Sequence, residues 1–404
     1  MAHFILEAEL FFLIYSLFSF FIYLLALPFL VIFSFKRKYK ESIPARFFLW
    51  KNGPLKANGI WFHSCSFGEA KAIKPLVDAL PSELLRMSST TNTGFQAINE
   101  YTEQSRYLPF ESLLFFWTKP QKALVVMEAE FWYLLFALAQ KRGAKTLLIN
   151  ARMSDRSYPK YLKMAWLYRQ IFKYIDEVYA QTELDKERLI TLGAKNVQVT
   201  GNIKLSELPK PTKTLKKPEV LTLCAASTHE GEEKLILEAF VNFKKENKVA
   251  KLIVVPRHPE RFNKVADMIE TLAKKEGFSW QRYSQEENFD SDIILVDALG
   301  ELVNIYAISD IVILGGAFEP IGGHNAAEAA QFGCKIISGK HYFNQKDIFE
   351  AVEGIVVVEA SNLLRRLSQH GLLKPTKIKY KTDISPIVES IKSVISKNAI
   401  IANK

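Results

Sequence analysis

The chain has 404 residues, 49% of them apolar and 24% charged, with a net charge of +10. That length exceeds one ordinary hydrophobic core and predicts two domains, while the composition excludes a disordered chain or a coiled coil. The basic excess lies in three stretches, 36–46, 202–218 and 374–404, which fits local contact with an anionic surface better than binding to nucleic acid.

Residues 10–35 carry no charge over 26 positions, and about 20 residues suffice to cross a hydrocarbon core. A cleaved signal peptide would want a basic start and a shorter apolar run. Here Glu7 and Glu9 precede the run, and Lys36, Arg37, Lys38 and Lys40 follow it. The pattern predicts a membrane anchor over 1–35 with its basic flank in the cytoplasm, with a buried core helix as the alternative. Pro28 is placed to kink or tilt the helix.

Short apolar runs then alternate with helical patterns. Strands are expected at 60–63, 123–127 and 146–149, with helices at 69–80 and 131–142. A domain over 36–205 ends in the proline- and lysine-rich stretch 206–218, which reads as an interdomain linker. The pattern restarts over 219–382, with strands expected at 220–225, 252–255, 293–296, 311–314, 335–337 and 355–358. Continuous apolar strands between helices indicate parallel sheets buried on both faces. Residues 383–404 form an amphipathic helix, with Ile384, Ile387, Val388, Ile391, Val394 and Ile395 at helical spacing. Two doubly wound α/β domains bind ligands at the carboxyl ends of their strands. Cys65, Cys224 and Cys334 lie far apart without a CxxC, so neither a zinc site nor a disulfide framework is expected.

Candidate chemistry clusters at the predicted strand ends. In His63-Ser64-Cys65-Ser66-Phe67-Gly68-Glu69, Glu69 either accepts a proton from an incoming hydroxyl or complements a helix dipole; His63 and Cys65 read as core residues. Met127-Glu128-Ala129-Glu130 puts two carboxylates at a strand end, costly unless they have partners or work, with solvated helix-start acids as the alternative. Arg152 or Arg156 suits an anionic group by a planar fork or forms a surface salt bridge. Gly201-Asn202-Ile203-Lys204 lies at the hinge into the linker. Ser227 or Thr228 can cap the following helix, whose amides suit an anion. Arg257 and His258, between two prolines, are cationic donors for a phosphate or members of a salt bridge. Two glycine pairs, Gly315-Gly316 and Gly322-Gly323, allow an amide nest for phosphate. Asn325 and Glu328 then either meet ribose hydroxyls or close a capping box. Neither a GxGxxG fingerprint nor a P-loop is present.

Together these stretches resemble the Kdo transferases of lipopolysaccharide assembly, which move 3-deoxy-D-manno-octulosonic acid (Kdo) from CMP-Kdo onto a lipid A precursor. The resemblance runs in order from about 36 to 350. It is carried by HSCSFGEA (63–70), TTNTGFQ (90–96), YLPFE (107–111), MEAEFW (127–132), INARMSDRS (149–157), GNIK (201–204), AASTHEGEE (225–233), PRHPERF (256–262), LGE (299–301) and GGAFEPIGGHNAAEAAQFG (315–333). Departures are Ser64-Cys65-Ser66 where larger members often have Ala-Val-Ser, Ala129 for Thr, Phe131 for Leu, and a short segment between Gln96 and Tyr107.

The resemblance implies an inverting GT-B glycosyltransferase: an α/β protein with two Rossmann-like domains facing a central cleft, preceded by the anchor helix. No metal and no cofactor are implied. Carried over position by position, Glu69 is the implied base, and Glu130 with Lys204 the pair that stabilises the transition state. Arg257, His258, Leu299, Gly300, Glu301, Asn325, Ala326, Ala327 and Glu328 form the implied CMP site. Arg152, Ser227, Gly322 and Gly323 remain candidate substrate or anion contacts. The implied partners are CMP-Kdo, lipid IVA and inner-membrane lipids, with no nucleic acid and with the catalytic domains on the cytoplasmic side of a bacterial inner membrane. A GT-B enzyme using another nucleotide sugar and a lipid acceptor is the alternative, and a non-catalytic basic membrane-surface protein a further one.

Overall fold

The computed structural model describes residues 2–380 and 382–402. The chain divides into two compact units, Met1–Glu207 with Lys381–Lys404, and Leu208–Tyr380.

The first unit is built on β1 (Ile60–Ser64), β2 (Leu85–Ser89), β3 (Ser105–Tyr107), β4 (Ala123–Met127), β5 (Lys145–Ala151), β6 (Glu177–Ala180) and β7 (Val197–Val199). All pairings are parallel, in the order β3-β2-β1-β4-β5-β6-β7. Strand order reverses between β1 and β4, the switch point of a doubly wound sheet. β1 and β4 are buried along their whole length, and burial on both faces explains the apolar runs at 60–62 and 123–127.

β2 is equally buried but reads Leu-Arg-Met-Ser-Ser, so a search for apolar runs passes over it. Hydrogen bonding makes its polar residues tolerable. Arg86 donates to the carbonyls of Lys56, Glu83 and Leu85, and the Ser88 hydroxyl accepts from Trp61 Nε1 and meets His63 Nδ1.

The second unit holds β8 (Thr222–Thr228), β9 (Lys251–Pro256), β10 (Trp280–Arg282), β11 (Ile293–Leu295), β12 (Ile311–Leu314), β13 (Lys335–Ser338), β14 (Val352–Glu353), β15 (Val356–Val357) and β16 (Lys377–Ile378). Its parallel sheet runs β10-β11-β9-β8-β12-β13-β15, and β14 pairs with β16 in a small antiparallel ribbon. The switch point falls between β8 and β12.

Of residues 206–218, expected as a linker, those from Leu208 onward belong to the second unit. Asn304 Oδ1 accepts from the amides of Thr212 and Lys213 at 2.8 and 3.2 Å, and Lys217 reaches Asp310 at 2.6 Å. The C-terminal helix Ser385–Ala402 returns to the first unit. Its Ile387 and Ile391 are fully buried beside Ile60, Phe62 and Leu76, and Ser390 donates to Glu177 at 2.5 Å.

At the other end, α1 (Ala2–Ser34) is a single helix that includes Pro28. From Glu9 to Ser34 it is long and apolar enough to cross a membrane. It is followed by α2 (Ser42–Phe48).

Candidate active site

In the first unit, the segments after β1 and β4 leave adjacent strands at the switch point. The chain after β1 turns into α3 (Phe67–Ala72) through Ser66, whose hydroxyl accepts from the Glu69 amide at 3.3 Å and donates to Glu69 Oε1 at 2.7 Å. The Cys65 amide donates to the other carboxylate oxygen at 2.8 Å. This is a capping box, so the helix-start alternative for Glu69 is realised. Burial nevertheless pushes the carboxyl above the usual range; the two capping bonds oppose the shift, and the charge of Glu130 adds to it. A half-buried carboxylate of raised basicity at a strand end suits proton abstraction. Each oxygen keeps a lone pair beside its cap bond, so one group can do both.

Two further residues are held in the left-handed region, Glu128 at φ 57° after β4 and Asn150 at φ 51° in β5. Such backbone persists only where its surroundings impose it. Asn150 supplies them: its Nδ2 donates to Glu128 Oε1 at 3.4 Å, and its Oδ1 accepts from the Ile203 amide at 3.0 Å. Asn202 Oδ1 accepts from the Lys204 amide at 3.1 Å, and Lys204 Nζ lies 3.5 Å from Glu128 Oε1. Glu128 therefore joins the implied pair as an ion-pair partner of Lys204, while Glu130 accepts from Trp132 Nε1 at 2.7 Å. The charges of both Glu130 and Lys204 reach Glu69.

Arg46 is a member of this cluster that the sequence reading counted only within a basic stretch. It lies in α2 and donates to the carbonyls of Leu108 at 3.0 Å and Thr90 at 3.3 Å. Burial lowers its pKa, and the charges of Cys65 and Glu130 oppose that shift. The available signal was an arginine inside the otherwise uncharged helix Ser-Ile-Pro-Ala-Arg-Phe-Phe. Arg152 follows β5 and is half-buried, whereas Arg156 is exposed. His63 is a core residue, with Nδ1 at Ser88 and burial pushing its pKa down to about 3. Cys65 is only partly buried. Its Sγ lies 2.8 Å from Thr90 Oγ1, and burial pushes the thiol up to about 11.

In the second unit, β8 ends at Ser227, left-handed at φ 51°, and Thr228. Neither hydroxyl caps the next helix, Glu232–Glu246; its N-cap is Gly231. The amide nest of the first glycine pair is already filled. Glu232 accepts from Gly316 at 2.8 Å, His229 at 3.0 Å, Phe318 at 3.0 Å and Glu319 at 3.4 Å. The amides of Gly322 and Gly323 both donate to the carbonyl of Gly316, at 3.0 and 2.6 Å. These amides are engaged by the protein itself, which corrects the expectation that the double-glycine loop offers them to phosphate. Glycine is needed there for close packing: at Gly322, φ 121°, a Cβ would lie 2.1 Å from Asn344 Nδ2.

Side chains rather than these amides supply the remaining polar groups at this sheet edge. Arg257 follows β9 with its amide bonded to the Thr228 carbonyl at 3.0 Å. The same turn is gripped from behind by Arg261, which donates to both oxygens of buried Glu233 at 3.1 and 3.0 Å. That bidentate pair leaves Arg257 and His258 exposed. His229 Nε2 sits 2.9 Å from His324 Nε2, and the His258 ring is 5.4 Å from the His229 ring. Burial, reinforced by neighbouring positive charge, pushes His324 down to about 4 and lowers His229 as well. One imidazole therefore donates to the other, and both stay neutral near pH 7. Burial raises the Glu328 carboxyl, opposed by Asn325 and then by the charge of Arg257.

Asn325 Oδ1 accepts from the Ala327 amide at 3.0 Å and its Nδ2 donates to Glu328 at 3.3 Å; the short helix Ala327–Ala330 starts from Ala326 as its N-cap without a side-chain cap, so Asn325 and Glu328 bond to each other without closing a capping box. Ala326 and Ala327 are fully buried. Leu299 and Gly300 are exposed, but Glu301 is buried, accepting from Asn304 Nδ2 at 2.8 Å and pairing with Lys213 at 3.0 Å. Its carboxylate thereby fastens Lys213 of the 206–218 segment. His229 and His324 were legible only as letters within longer motifs; their pairing needs β8 beside β12.

Residues 41–207 match the model of the 3-deoxy-D-manno-octulosonic-acid transferase (kdotransferase) family. The chain is 33% identical over 351 residues to a 3-deoxy-D-manno-octulosonic acid transferase of Haemophilus influenzae, covering 80% of this chain and 81% of that one. Identity is 31% to the transferase of Bordetella pertussis, covering 73% and 74% of the two chains, and 31% to that of Aquifex aeolicus, covering 77% and 85%. With a doubly wound parallel sheet in each unit, the chain belongs to the Kdo transferase family and is a glycosyltransferase of the GT-B fold class.

Proposed function

We propose that the chain transfers Kdo from CMP-Kdo to lipid IVA, inverting the anomeric configuration and releasing CMP, at the cytoplasmic face of a bacterial inner membrane. The observation that carries the donor side is the convergence of Arg257, His258, the His229–His324 pair and Glu328 at one sheet edge. The Arg257 cation and the hydrogen-bonding imidazoles of the His229–His324 pair suit the single phosphate of CMP, and Glu328 suits ribose hydroxyls. On the acceptor side, Glu69 takes the proton of a lipid hydroxyl. The freed oxygen bonds to the anomeric carbon of Kdo while the bond from that carbon to the CMP phosphate oxygen breaks, its electron pair leaving with CMP. Glu130 opposes the positive charge that develops on the sugar, Lys204 attracts the Kdo carboxylate, and Arg257 stabilises the departing phosphate. α1 attaches the enzyme to the membrane that holds its lipid acceptor.

The test is incubation of the full chain with CMP-Kdo and lipid IVA, followed by mass spectrometry of the lipid. A mass gain of one or more Kdo residues with matching CMP release is expected. Turnover of a UDP-sugar, with CMP-Kdo left untouched, overturns the reading.

A further inference from the structure

α1 is predominantly apolar, and its two faces meet different surroundings. Along one face, Phe11 and Tyr15 pack edge-on and tilted against Tyr133, and Phe12 against Phe115. Polar groups sit on that face and find partners in the first unit. Glu9 pairs with Lys141 at 2.5 Å, Tyr15 donates to Glu111 at 2.7 Å, and Tyr23 donates to the Phe47 carbonyl at 2.6 Å. The opposite face, including Leu13, Leu17, Phe21, Leu25 and Phe29, is exposed.

We propose that α1 does not cross the bilayer but lies along the first unit as an in-plane anchor, burying its outer face in the acyl layer of one leaflet, with both ends of the chain on the same side. This rests on the membrane attachment proposed above. Two observations carry it. The first is length. From Glu9 to Tyr23 the helix advances about 21 Å while held to the unit, and the eleven residues from Leu24 to Ser34 add about 16 Å. That remainder is roughly half of a hydrocarbon core of about 30 Å.

The second is polar satisfaction. Glu111 is buried, and its two oxygens accept from Tyr15 and from the Leu134 amide. A helix that left the unit to span the membrane would strip Tyr15 from this carboxylate. It would also carry Glu9, Tyr15 and Tyr23 away from their partners into or beside hydrocarbon, where unpaired polar groups are costly. The flank agrees with an interfacial position. Trp166, whose ring is 6.2 Å from that of Phe11, and Trp50, just after α2, are both exposed, as expected of an aromatic belt. Lys36, Arg37, Lys38 and Lys40 follow at the headgroup level.

The full chain with a protease-cleavable tag at each end distinguishes the topologies. In intact spheroplasts both tags should be protected, and after lysis both should be cut, with the protein in the membrane fraction. Cutting of the amino-terminal tag alone in intact spheroplasts is the signature of a span and overturns the proposal. Recovery in the soluble fraction, with no flotation on vesicles of anionic phospholipid, removes the membrane attachment itself and the proposal with it. A second measurement uses Phe12→Cys with Phe115→Cys and a short bismaleimide. Cross-linking in native membranes is expected; two reactive thiols that fail to cross-link overturn the docked helix.

Discussion

At Glu69, capping bonds and burial act in opposite directions on one carboxylate, and burial wins. A base works deprotonated, so its rate falls as pH drops through its pKa. The acid limb of kcat/KM should therefore lie above the ~4.3 of an ordinary glutamate. Glu69→Gln should lower turnover by ~10²–10⁴-fold, leave CMP binding unchanged and remove that limb; pH–rate profiles with calorimetric CMP titration check all three. The position of Glu69 was legible because a strand, a capping box and a helix follow one another in the sequence. The ion pair between Lys204 and Glu128 was not, because it depends on Asn150 drawing together two segments more than fifty residues apart.

Among the elements, the double-glycine loop changed meaning most. Its sequence suggests an anion nest, and the anion is Glu232. Glu232→Ala leaves several buried amides without an acceptor, each costing about 1–3 kcal/mol if unsatisfied. The second unit should melt earlier and lose CMP affinity, seen by calorimetry with and without CMP; an unchanged melting profile counts against the anchoring role. The C-terminal helix makes an independent case. Its periodicity showed which face is apolar, and only packing shows that the face covers the first unit. Ile391→Ala should destabilise that unit by roughly 2–5 kcal/mol, read from denaturant unfolding.

For the whole molecule, the amino-terminal helix is structural as well as hydrophobic. Removing residues 1–35 would uncover Phe115 and Tyr133 and take Tyr15 from buried Glu111. The truncated protein should unfold several degrees earlier and aggregate, even in detergent; a melting temperature equal to that of the full chain would show a detachable anchor. Charge is redistributed in the same way. Lys213 and Lys217, part of a basic stretch that looked suited to an anionic surface, pair with Glu287, Glu301 and Asp310. The salt dependence of membrane binding should thus respond to replacing Lys36, Arg37, Lys38 and Lys40 with glutamine far more than to replacing Lys213 and Lys217, as measured by vesicle flotation.

The sequence by itself determined two parallel α/β sheets, an apolar amino-terminal helix, and the strand ends at which chemistry collects. Each is written in local patterns: β1, β4, β8 and β12 are buried on both faces and carry apolar runs, and the turns after them carry Glu69, Glu128, Glu130, His229 and the glycine pairs. Tertiary structure alone decided which polar groups are already spoken for. Buried carboxylates such as Glu232, Glu301 and Glu111 must find donors or pay their desolvation, and those donors are amides, a lysine and a tyrosine remote in sequence. The same long-range demand holds the His229–His324 pair together and seats α1 on the first unit, because no local pattern records which strands or helices will become neighbours.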